Sequence, residues 1–441
     1  MKWRCALIPV LLAAAALPAR AEALPDVDSR IAGVTPRVVA WRRDIHQNPE
    51  LGNQEVRTAK LVAAHLRKLG FDEVRTGIAH TGVVGVLKGK RPGGVLALRA
   101  DMDALPIREA TGLPFASKVV VDVNGTPTPV MHACGHDAHT AILMGAAEVL
   151  AGMRDRIAGT ILFVFQPAEE GVAGEEAGAR LMLKEGAFSP IRPDAIFGLH
   201  VEPGRVGEID ARPGPMLSSA TGISIRLKGR QTHAGRPWEG TDLVNLAADV
   251  VKSLNTIAAR QVNVFEFPNV VSIGALRAGN RGNILPGEAT LDGTIRTFDL
   301  ARRDDLKARI RTTVAGLAAG YDAEADVNFE DVALVTGNDP ALLETVMPAL
   351  KAAAPNGVNT DALMRGAAED FSFFQAEVPG LYYILGATPP GIPIDKAPTN
   401  HSDRFDIDEA VLPIGVKAHV LTALAFLDSR AKQGSLQPSR Q

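Results

Sequence analysis

Three short apolar runs in the first half of the chain limit what it can fold into. They read GVLALRAD, GTILFVFQ and DAIFGLH, and the helical stretch AHTAILMGAAEVLAGM lies between the first two. Strands that are apolar along most of their length occur in sheets covered on both faces, usually by the helices that connect them. The sequence therefore predicts an α/β domain with a mostly parallel sheet flanked by helices.

The pattern changes near residue 215. TGISIRLKG, NVVSIGALRAG and ATLDGTIRTF alternate between apolar and polar residues, while TDLVNLAADVVKSLNTIAAR and ARRDDLKARIRTTVAGLAAG are helical. Strand–helix–strand–strand–helix is the content of a small α+β sandwich with both helices on one face of a single sheet. We predict that this domain is inserted at 215–328 and divides the α/β domain into 26–214 and 329–430.

The N-terminus has the layout of a secretory signal peptide. A short basic opening, MKWR, precedes the apolar run CALIPVLLAAAAL and the small-residue sites of PARAEA. The alternative is a membrane anchor, but this run is shorter than the ~20 apolar residues that span a bilayer. We expect 1–21 to be a signal peptide, cleaved after Ala21 or Ala23. The protein would then be exported, to the periplasm or outside the cell, with no membrane span in the mature chain.

Charge and cysteine content narrow the function further. The formal net charge is −3 and no dense basic run is present, so nucleic-acid binding is not expected. The two cysteines are Cys5 and Cys134, and removal of the signal peptide leaves Cys134 alone. A lone cysteine cannot form an internal disulfide, and a free thiol is a liability in an oxidising compartment. Cys134 should therefore be buried or bound to a ligand.

Ionisable residues follow each of the three apolar runs. Asp101 and Asp103 follow the first, Glu169 and Glu170 follow the second, and His200 closes the third. In open α/β sheets, ligands bind beyond the carboxyl ends of the strands. We therefore expect these side chains to meet at one edge of the sheet, as the basis of a functional site.

The stretch MHACGHDAHT supplies further donors. Cys134 and His136 offer a thiolate and an imidazole, which suit zinc and its first-row neighbours, but Cys-x-His alone is a weak signal. His132 and His139 lie close by in the sequence, and their roles stay open, since a histidine here can also pack or cap a helix. The metal interpretation depends on partners elsewhere in the chain.

Those partners have ordinary structural interpretations as well. Side chains of neighbouring residues diverge, so Glu169 and Glu170 suggest one metal ligand and one proton-transfer group, or only a solvated acidic turn. His200 by itself could be a hydrogen-bonded core residue. His401, in PTNHSDRFDIDEA, could be an exposed loop histidine.

Eight motifs occur in this chain in the order seen in one known family, and this resemblance favours the functional interpretation of these residues. RADMDALP, HACGHDAHT, QPAEEG, GLHVEP, QTHAGRP, NILPGEATLDGTIRTF, EDFSFF and NHSDRFDIDE are similar to those of the dinuclear metallo-aminoacylase and carboxypeptidase family. The similarity is strongest to the amidohydrolase branch, which holds hippurate hydrolases, N-acyl-amino-acid amidohydrolases and plant auxin-conjugate hydrolases. It covers nearly the whole chain after the signal peptide. It implies a catalytic domain with an inserted lid domain that also forms a homodimer.

The resemblance implies a metal site and a base. Two divalent metal ions per subunit are expected, with zinc or manganese first and cobalt or nickel as alternatives. Glu169 matches the general base that activates a metal-bound water. The residues that match the family's metal ligands are Cys134, His136, Glu170, His200 and His401.

Three residues of the inserted domain also match functional positions. His233 matches a histidine that reaches the partner subunit's site and steadies the oxyanion. Asn283 and Arg296 match residues that hold the substrate, Arg296 through the substrate's carboxylate. A planar guanidinium suits bidentate capture of a carboxylate. Without the resemblance, Arg296 could be solvated or salt-bridged and KGRQTHAG an ordinary hairpin.

The chain departs from the broader family at two places. Asp101-Met102-Asp103 stands where the broader family has a His-x-Asp ligand pair, and the amidohydrolase branch shares this change. We therefore expect neither aspartate to bind metal, and expect each to orient a ligand or contact the substrate. Ala368 stands where many relatives have serine, and this difference does not change the predicted function.

The resemblance implies an exported, metal-dependent amidohydrolase. It would cleave the amide bond of N-acyl amino acids to a carboxylic acid and a free amino acid, by Glu-assisted attack of metal-bound water. One alternative is a metallocarboxypeptidase that acts on short peptides. Another is a non-catalytic protein that binds such conjugates, against which the presence of every expected ligand and of Glu169 argues.

Overall fold

The computed structural model describes residues 25–436. The predicted signal peptide at 1–21, with Cys5 and both proposed cleavage sites, lies outside the described residues. The part of the chain before the insertion contains, in order, α1 (Pro25–Gln47), α2 (Val56–Lys68), β1 (Glu73–Ile78), β2 (Gly82–Lys88), β3 (Arg91–Asp101), β4 (Val120–Val123), β5 (Thr126–Pro129), α3 (His136–Ala151), β6 (Ala158–Gln166), α4 (Gly178–Lys184), β7 (Ala195–Glu202), β8 (Ile209–Asp210) and β9 (Gly214–Leu217).

The rest of the chain forms the insertion and the return to the first domain. The insertion contains β10 (Ser219–Lys228), β11 (Thr232–His233), α5 (Leu243–Thr256), β12 (Asn269–Ala278), β13 (Ile284–Leu285), β14 (Glu288–Thr297), α6 (Leu300–Gly320) and β15 (Glu324–Ala333). The returning part contains β16 (Thr336–Asn338), α7 (Pro340–Ala353), β17 (Val358–Asn359), α8 (Phe371–Glu377), β18 (Gly380–Gly386) and α9 (Val411–Leu436).

The main sheet has eight strands in the order β1-β2-β6-β3-β7-β18-β8-β17. The four central strands, β6, β3, β7 and β18, run parallel to one another. Antiparallel pairs lie toward the edges, at β1–β2, β2–β6 and β18–β8. The predicted α/β class with a mostly parallel sheet is therefore confirmed. The antiparallel edge strands were not predicted.

Alternating side chains of β3 show why the sheet is covered on both faces. Leu96 and Leu98 belong to a buried core with α1, α2, α3, α7 and α9. Ala97 belongs to a second core on the opposite face, with residues of α4 and α8. Since successive residues of a strand point to opposite faces, a strand buried on both sides is apolar at most positions, and its buried polar residues, such as Arg99 and Asp101 of β3, need partners. This explains the apolar runs from which the fold class was predicted.

One described helix is long and apolar enough to cross a membrane by length and composition alone. This stretch, Val411–Gln433 within α9, contains an 18-residue window with a mean hydropathy of 1.5, and 67% of that window is buried inside the protein. It packs against α3 and α7. A helix enclosed in a core is apolar around much of its surface, so this burial accounts for its composition.

The insertion folds as a four-stranded antiparallel sheet in the order β12-β14-β10-β15, with α5 and α6 packed on one face. Ile223, Ile225 and Leu227 of β10 point into that core, while Ser224 and Arg226 are exposed. The predicted α+β sandwich is confirmed. Its bounds of 215–328 stay a prediction, and the sheet itself runs from β10 to the end of β15 at Ala333, so its fourth strand crosses the predicted boundary.

A short connection joins the two domains beside the main sheet. The chain enters the insertion after β9 and leaves it before β16, and these two strands pair with each other. Ser218, between β9 and β10, donates its hydroxyl to the carbonyl oxygens of Gly366 and Ala367 at 3.0 and 3.1 Å. The start of the insertion is therefore hydrogen-bonded to the loop that leads to Glu369 and Asp370.

Candidate metal centre

The site lies where the central parallel strands end. β3 ends at Asp101, a turn after β6 carries Glu169 and Glu170, and His200 lies near the end of β7. Parallel neighbours end at the same edge of a sheet, so these side chains meet there, as predicted. The first turn of α3, which begins at His136, completes this edge.

Gly135 allows α3 to begin so close to β7. Its φ of 97° lies in the left-handed region, and a side chain at this position would bring its first carbon within 2.4 Å of the Val201 side chain. Glycine alone adopts this conformation without steric cost and leaves room for the strand. The neighbouring Cys134 and His136 are thereby held against the strand ends.

Donor atoms of the predicted ligands converge in overlapping groups. Within each group the candidate atoms lie within 4.8 Å of one another. Two groups share the Cys134 sulfur: one adds His136 and His200, and the other adds Glu170 and His401. A further group joins His136 and Glu170 to Glu169. All five residues predicted as ligands, together with the predicted base, therefore lie in one cluster.

Two of the histidines are oriented by backbone carbonyl groups. His136 Nδ1 donates to the carbonyl oxygen of Asp103 at 2.9 Å, and His200 Nδ1 donates to that of Val201 at 2.9 Å. In the neutral form that binds a metal, each ring then keeps its lone pair on Nε2, the nitrogen on the side of the cluster. His136 Nε2 is buried and has no hydrogen-bond partner among the described residues. A hydrogen bond that fixes the other ring nitrogen is typical of metal-binding histidines.

Cys134 is prepared to act as a thiolate. Its sulfur lies 3.5 Å from His200 Nε2, and the side chain is buried and forms no disulfide among the described residues. Although burial alone opposes ionisation, His200 and His136 lower the pKa of the Cys134 thiol to about 6. Thiolate, imidazole and carboxylate together form the donor set that zinc and other first-row divalent metals prefer. The residues present therefore fit divalent metal binding.

His401 reaches the cluster from the loop before α9. Its Nε2 lies 2.9 Å from a carboxylate oxygen of Glu170, and its backbone N–H donates to the Ala133 carbonyl at 2.7 Å. The neighbouring Asn400 side chain donates to the carbonyl oxygens of Cys134 and Val201 at 2.9 and 3.1 Å. Asn400 thus fastens this loop to both stretches that carry ligands. The sequence offered one signal for it, its position inside the motif NHSDRFDIDE.

Asp103 lies behind the ligands and contacts two of them. Besides its carbonyl contact, its Oδ1 lies 3.2 Å from His136 Nδ1, and its Oδ2 accepts from the Glu170 backbone N–H at 3.0 Å. One carboxylate therefore orients an imidazole ligand and the backbone of a carboxylate ligand. This geometry matches the supporting role expected for Asp103 from the sequence.

Asp101 and His139 form a separate supporting pair. Asp101 accepts from His139 Nδ1 at 2.7 Å and from Arg99 at 2.7 Å, with its two oxygens. The other ring nitrogen of His139 accepts the Val201 N–H at 2.9 Å. Both nitrogens are therefore occupied, so His139 supports the strand beside His200 and has no lone pair left for a metal. His132 is buried, and neither of its ring nitrogens has a partner among the described residues.

The turn that carries Glu169 is conformationally unusual. Ala168 has a φ of 49°, in the left-handed region, which costs about 1–2 kcal/mol for a residue other than glycine. Burial, and then the negative charges of Glu369 and Glu170, raise the pKa of Glu169 well above its usual range. A raised pKa makes a carboxylate a better proton acceptor. Backbone strain next to such a group is typical of functional sites.

Glu369 and Asp370 enclose Glu169 from the opposite side, although the sequence assigned them no role. Their carboxylate oxygens form a group with that of Glu169 within 4.8 Å. Arg99 donates to Glu369 at 2.9 Å and to Asp370 at 3.2 Å, and Tyr382 donates to Glu369 at 2.5 Å. Buried carboxylates require such partners, and both carboxylates come from the motif EDFSFF.

A cleft of about 540 Å³ opens over this cluster. Its polar side is formed by the predicted ligands Cys134, Glu170, His200 and His401 together with Glu169. Arg296, from β14 of the insertion, also lines the cleft. The rest of the lining has an apolar part, made of Leu217, Ala220, Val332, Ala333, Ala367 and Ala368, and a polar part, which includes Glu202, Glu369, Asp370, Thr399 and Asn400.

The side chain of Arg296 is a half-buried cation that makes no hydrogen bond or ion pair with any described residue. Burial lowers its pKa, and no neighbouring acid counteracts this. Guanidinium groups in proteins are usually paired with carboxylates when they are removed from water. Its position in the cleft is therefore suited to a negatively charged group from outside the chain.

His233 and Asn283 do not line this cleft in the described part of the chain. Both are exposed and lie on the small β11–β13 pair of the insertion, where the Ala234 N–H donates to the Asn283 carbonyl at 3.0 Å. The Gly235 N–H donates to His233 Nδ1 at 2.9 Å, which leaves Nε2 free. The structure thus places Arg296 beside the cluster of predicted metal ligands in its own chain. It does not place His233 or Asn283 there.

Comparisons with known proteins agree with this geometry. Residues 97–425 match the model of peptidase family M20/M25/M40. Thermostable carboxypeptidase 2 of Saccharolobus solfataricus is 38% identical over 88% of this chain and 95% of its own length. The N-acetylcysteine deacetylase of Bacillus subtilis is 35% identical, over 89% of this chain and 97% of its own length.

A solved structure supports the metal chemistry of the family. The Bacillus subtilis YXEP protein, described as a dinuclear metal binding peptidase of family M20, is 32% identical to this chain. The two structures superpose with a TM-score of 0.76, over 90% of this chain and 99% of YXEP. Together with the family match and the donor cluster, this supports metal binding at the site described above. The chain belongs to peptidase family M20/M25/M40 and is a metal-dependent hydrolase of amide bonds.

Proposed function

We propose that the protein hydrolyses N-acyl amino acids to a carboxylic acid and a free amino acid. The observation that carries this proposal is the position of the Arg296 guanidinium. It has no partner among the described residues and lies in the same cleft as Glu169 and the predicted metal ligands. A substrate with one free carboxylate and one amide bond satisfies both features. The apolar lining of the cleft then remains for the acyl group. The deacetylase relative acts, by its name, on a substrate of this kind.

The chain's own residues suffice to orient the substrate and move the proton. Bound divalent ions, which we propose to be a pair held by Cys134, His136, Glu170, His200 and His401, would make water more acidic and polarise the amide carbonyl. Glu169 takes a proton from the attacking water and returns it to the amide nitrogen as the C–N bond breaks. The water oxygen ends in the new carboxylic acid. Arg296 holds the amino-acid carboxylate throughout.

The carboxypeptidase relatives favour a second candidate function, removal of C-terminal residues from short peptides. Such a substrate also presents a free carboxylate beside an amide bond, so Arg296 does not separate the two functions. The acyl side separates them, because a peptide carries a polar backbone and an amine there. The apolar part of the cleft suits acyl groups without these polar atoms, whereas the carboxylates of Glu202, Glu369 and Asp370 in the same lining would suit the amine of a peptide. The substrate comparison below therefore decides between the two functions.

A matched substrate panel tests the proposal. Benzoyl and acetyl amino acids are compared with dipeptides and tripeptides that share the same C-terminal residue, on metal-loaded and chelator-treated protein. We expect metal-restorable cleavage with higher kcat/KM for the acyl amino acids. Higher kcat/KM for the peptides would establish the carboxypeptidase instead. No cleavage by protein with bound metal would contradict both functions and support the non-catalytic binding protein.

Replacing Arg296 by alanine should weaken recognition of the substrate carboxylate. We expect kcat/KM to fall by about 10–10²-fold, mostly through KM, because a charge-assisted hydrogen bond is lost. Comparing each acyl amino acid with its C-terminal amide isolates this contact, since the amide carries no charge. Arg226→Ala is the control, because Arg226 is exposed and paired with Glu288 on the neighbouring strand. Equal losses on the acid and on the amide would contradict the role of Arg296.

We also propose that the protein is a homodimer in which His233, with Asn283, completes the partner subunit's site. Both residues are exposed and outside their own cleft, as this arrangement requires. The edge strand β12 of the insertion carries the exposed apolar residues Val270 and Leu276, and Phe265 before it is 96% exposed. Exposed apolar side chains along an unpaired strand edge favour association with another chain.

Mixed dimers test this arrangement. His233→Ala and Glu169→Gln chains with different affinity tags are co-expressed, and the mixed dimers are isolated through both tags. Each variant alone should be nearly inactive, and the mixed dimer should recover roughly half of the wild-type activity, because one of its two sites is intact. Subunits whose sites use their own His233 would give a mixed dimer without this recovery.

Metal identity and export complete the proposal. Zinc or manganese is proposed as the native metal, since the thiolate and imidazole donors suit zinc while family amidohydrolases of this kind are also expected to accept manganese, cobalt or nickel. The basic, apolar and small-residue segments of 1–21 support export to the periplasm or beyond. Elemental analysis of protein purified without added metal and mass measurement of its N-terminus test these two points.

A further inference from the structure

The segment 51–55, between α1 and α2, packs against the back of the turn that carries Glu169. A side chain at Gly52 would bring its first carbon within 3.1 Å of the Ala168 Cβ and 3.2 Å of its Cα, so the two backbones are in close contact. The backbone carbonyl oxygen of Glu50, the residue before the segment, accepts the Ala104 N–H at 2.8 Å. The segment therefore bridges the end of β3 and the turn after β6, two of the stretches that build the site.

Glu55 makes the decisive contact from this segment. Its side chain is fully buried, and one carboxyl oxygen accepts the Ala168 backbone N–H at 2.9 Å. The other oxygen accepts the hydroxyl of Thr81 at the start of β2. On the far side of Glu169, Asp103 accepts the Glu170 N–H. Two buried carboxyl groups thus hold the backbone immediately before and after the proposed base.

The position of Glu55 in the sequence does not explain this contact. Glu55 is the N-cap residue of α2, yet its side chain makes no capping hydrogen bond. Glu50 makes these bonds instead, by accepting from the backbone N–H groups of Arg57 and Thr58 at 2.8 Å each. The helix start is therefore satisfied without Glu55, whose side chain is turned toward Ala168.

Ala168 needs an external partner for its conformation. Its φ of 49° is one that glycine adopts freely and alanine rarely does. A residue in such a conformation persists only when its surroundings hold it there. The direction of the Glu169 side chain depends on this backbone, because a change in the peptide before a residue rotates everything attached to it.

We propose that Glu55 is a positioning residue that holds Ala168 in its left-handed conformation and thereby directs Glu169 toward the substrate. This inference rests on the proposed function, in which Glu169 is the base. Glu55 does not touch the substrate or the metal ligands. We therefore expect its effect on turnover to pass through the backbone of the turn.

The chemistry of Glu55 supplies a matched pair of variants. Burial, and then the charge of Asp103, raise the pKa of Glu55 to about 8, so its carboxyl group is mostly neutral at pH 7. Glutamine has the same shape, is neutral and keeps an oxygen to accept the Ala168 N–H. Methionine has a similar length but no oxygen acceptor. Glu55→Gln keeps a polar group for both Ala168 and Thr81, and Glu55→Met removes both partners. The Ala168→Gly background therefore isolates the part of the effect that passes through Ala168.

The test measures kcat, KM, metal content and melting temperature for these variants, with and without Ala168→Gly. We expect Glu55→Gln to stay within about threefold of wild-type kcat, and Glu55→Met to lose about 10²-fold, the effect of misplacing a catalytic group by ~1 Å. Metal content and KM should change little. In the Ala168→Gly background the loss caused by Glu55→Met should shrink to about tenfold or less, because glycine needs no help to adopt this φ.

Controls separate positioning from stability. Glu50→Ala removes the carboxylate that caps α2 and should lower the melting temperature without changing kcat. If Glu55→Met does not fold, Glu55→Asp takes its place, because its side chain is one methylene shorter and moves the acceptor away from the Ala168 N–H. This variant should also lose kcat, and the loss should be smaller in the Ala168→Gly background. Wild-type kcat in the folded variant, or an equal loss in both Ala168 backgrounds, would overturn the proposal.

The same experiments distinguish this inference from the proposed function. If Glu169→Gln retains full activity, the base assignment fails, and the role of Glu55 fails with it. If Glu169→Gln is inactive and Glu55→Met turns over like the wild type, only the inference about Glu55 fails.

Discussion

Replacing Glu169 by glutamine is expected to lower kcat by about 10²–10⁴-fold, the usual contribution of a general acid–base group, while metal content stays unchanged. Glutamine fills the same space, so the turn after β6 should keep its shape, but the amide cannot accept a proton from water. Its neighbours Glu369 and Asp370 are held by Arg99 and Gln166, so they are not free to replace it. The measurement is steady-state turnover of the best substrate, with metal content determined on the same sample.

The control for this prediction is Glu176→Gln. Glu176 lies in the loop after the same turn, is exposed and pairs with Lys184 outside the metal groups. The Glu176→Gln substitution removes a carboxylate from the same loop and should leave kcat unchanged. Wild-type turnover in Glu169→Gln with full metal content would refute Glu169 as the base, and loss of metal from that variant would show that Glu169 is itself a ligand.

Replacing Cys134 by alanine should remove the donor that the two ligand groups share. We expect metal affinity to fall by at least about 10²-fold, since changes that only disturb the residues behind a ligand already cost 10–10²-fold. Activity should fall in parallel. Metal bound to the native state stabilises it, so the melting-temperature difference between metal-loaded and chelator-treated protein should be large for the wild type and small for Cys134→Ala. Chelator competition and elemental analysis provide the affinity and the stoichiometry.

Cys134→Ser is the matched variant for this test. It keeps the size and polarity of the position, but its hydroxyl does not ionise near neutral pH and is a poor ligand for zinc-like metals. If the thiolate is the ligand, serine should resemble alanine in metal affinity. Full metal content in Cys134→Ala would exclude Cys134 from the site. Affinity restored by serine would show that this position supports metal binding through packing rather than through a thiolate ligand.

The fold followed from patterns that a single sequence displays directly. The runs that became β3, β6 and β7 are apolar because each strand is covered on both faces, and this burial also predicted the parallel centre of the sheet. The alternation in β10 predicted a sheet with one exposed face. The strands β1 and β2 were not predicted: they form a hairpin of neighbouring segments, and its place in the sheet depends on the pairing of β2 with β6, which is distant in the sequence.

The candidate site was predictable in its residue types and not in its connections. Strand ends brought acids and a histidine to one edge, and the motif resemblance added Cys134, His136 and His401. The sequence left the roles of Asp101, Asp103, His132 and His139 open. In the structure, hydrogen bonds define the roles of three of these four residues. Asp103 orients the ligand His136, and Asp101 and His139 support the strand beside the ligand His200.

By itself, the sequence determined the α/β class, the inserted sandwich and the donor types that meet at the strand ends, because periodicity and chemical identity are local properties. Only the tertiary structure decided that Arg296 shares a cleft with the metal cluster, that His233 and Asn283 do not, and that Glu55 holds the backbone of Ala168. These facts depend on how segments far apart in the chain pack together. A hydrogen bond is made or lost within a few tenths of an ångström, and spacing along the sequence carries no information at that scale.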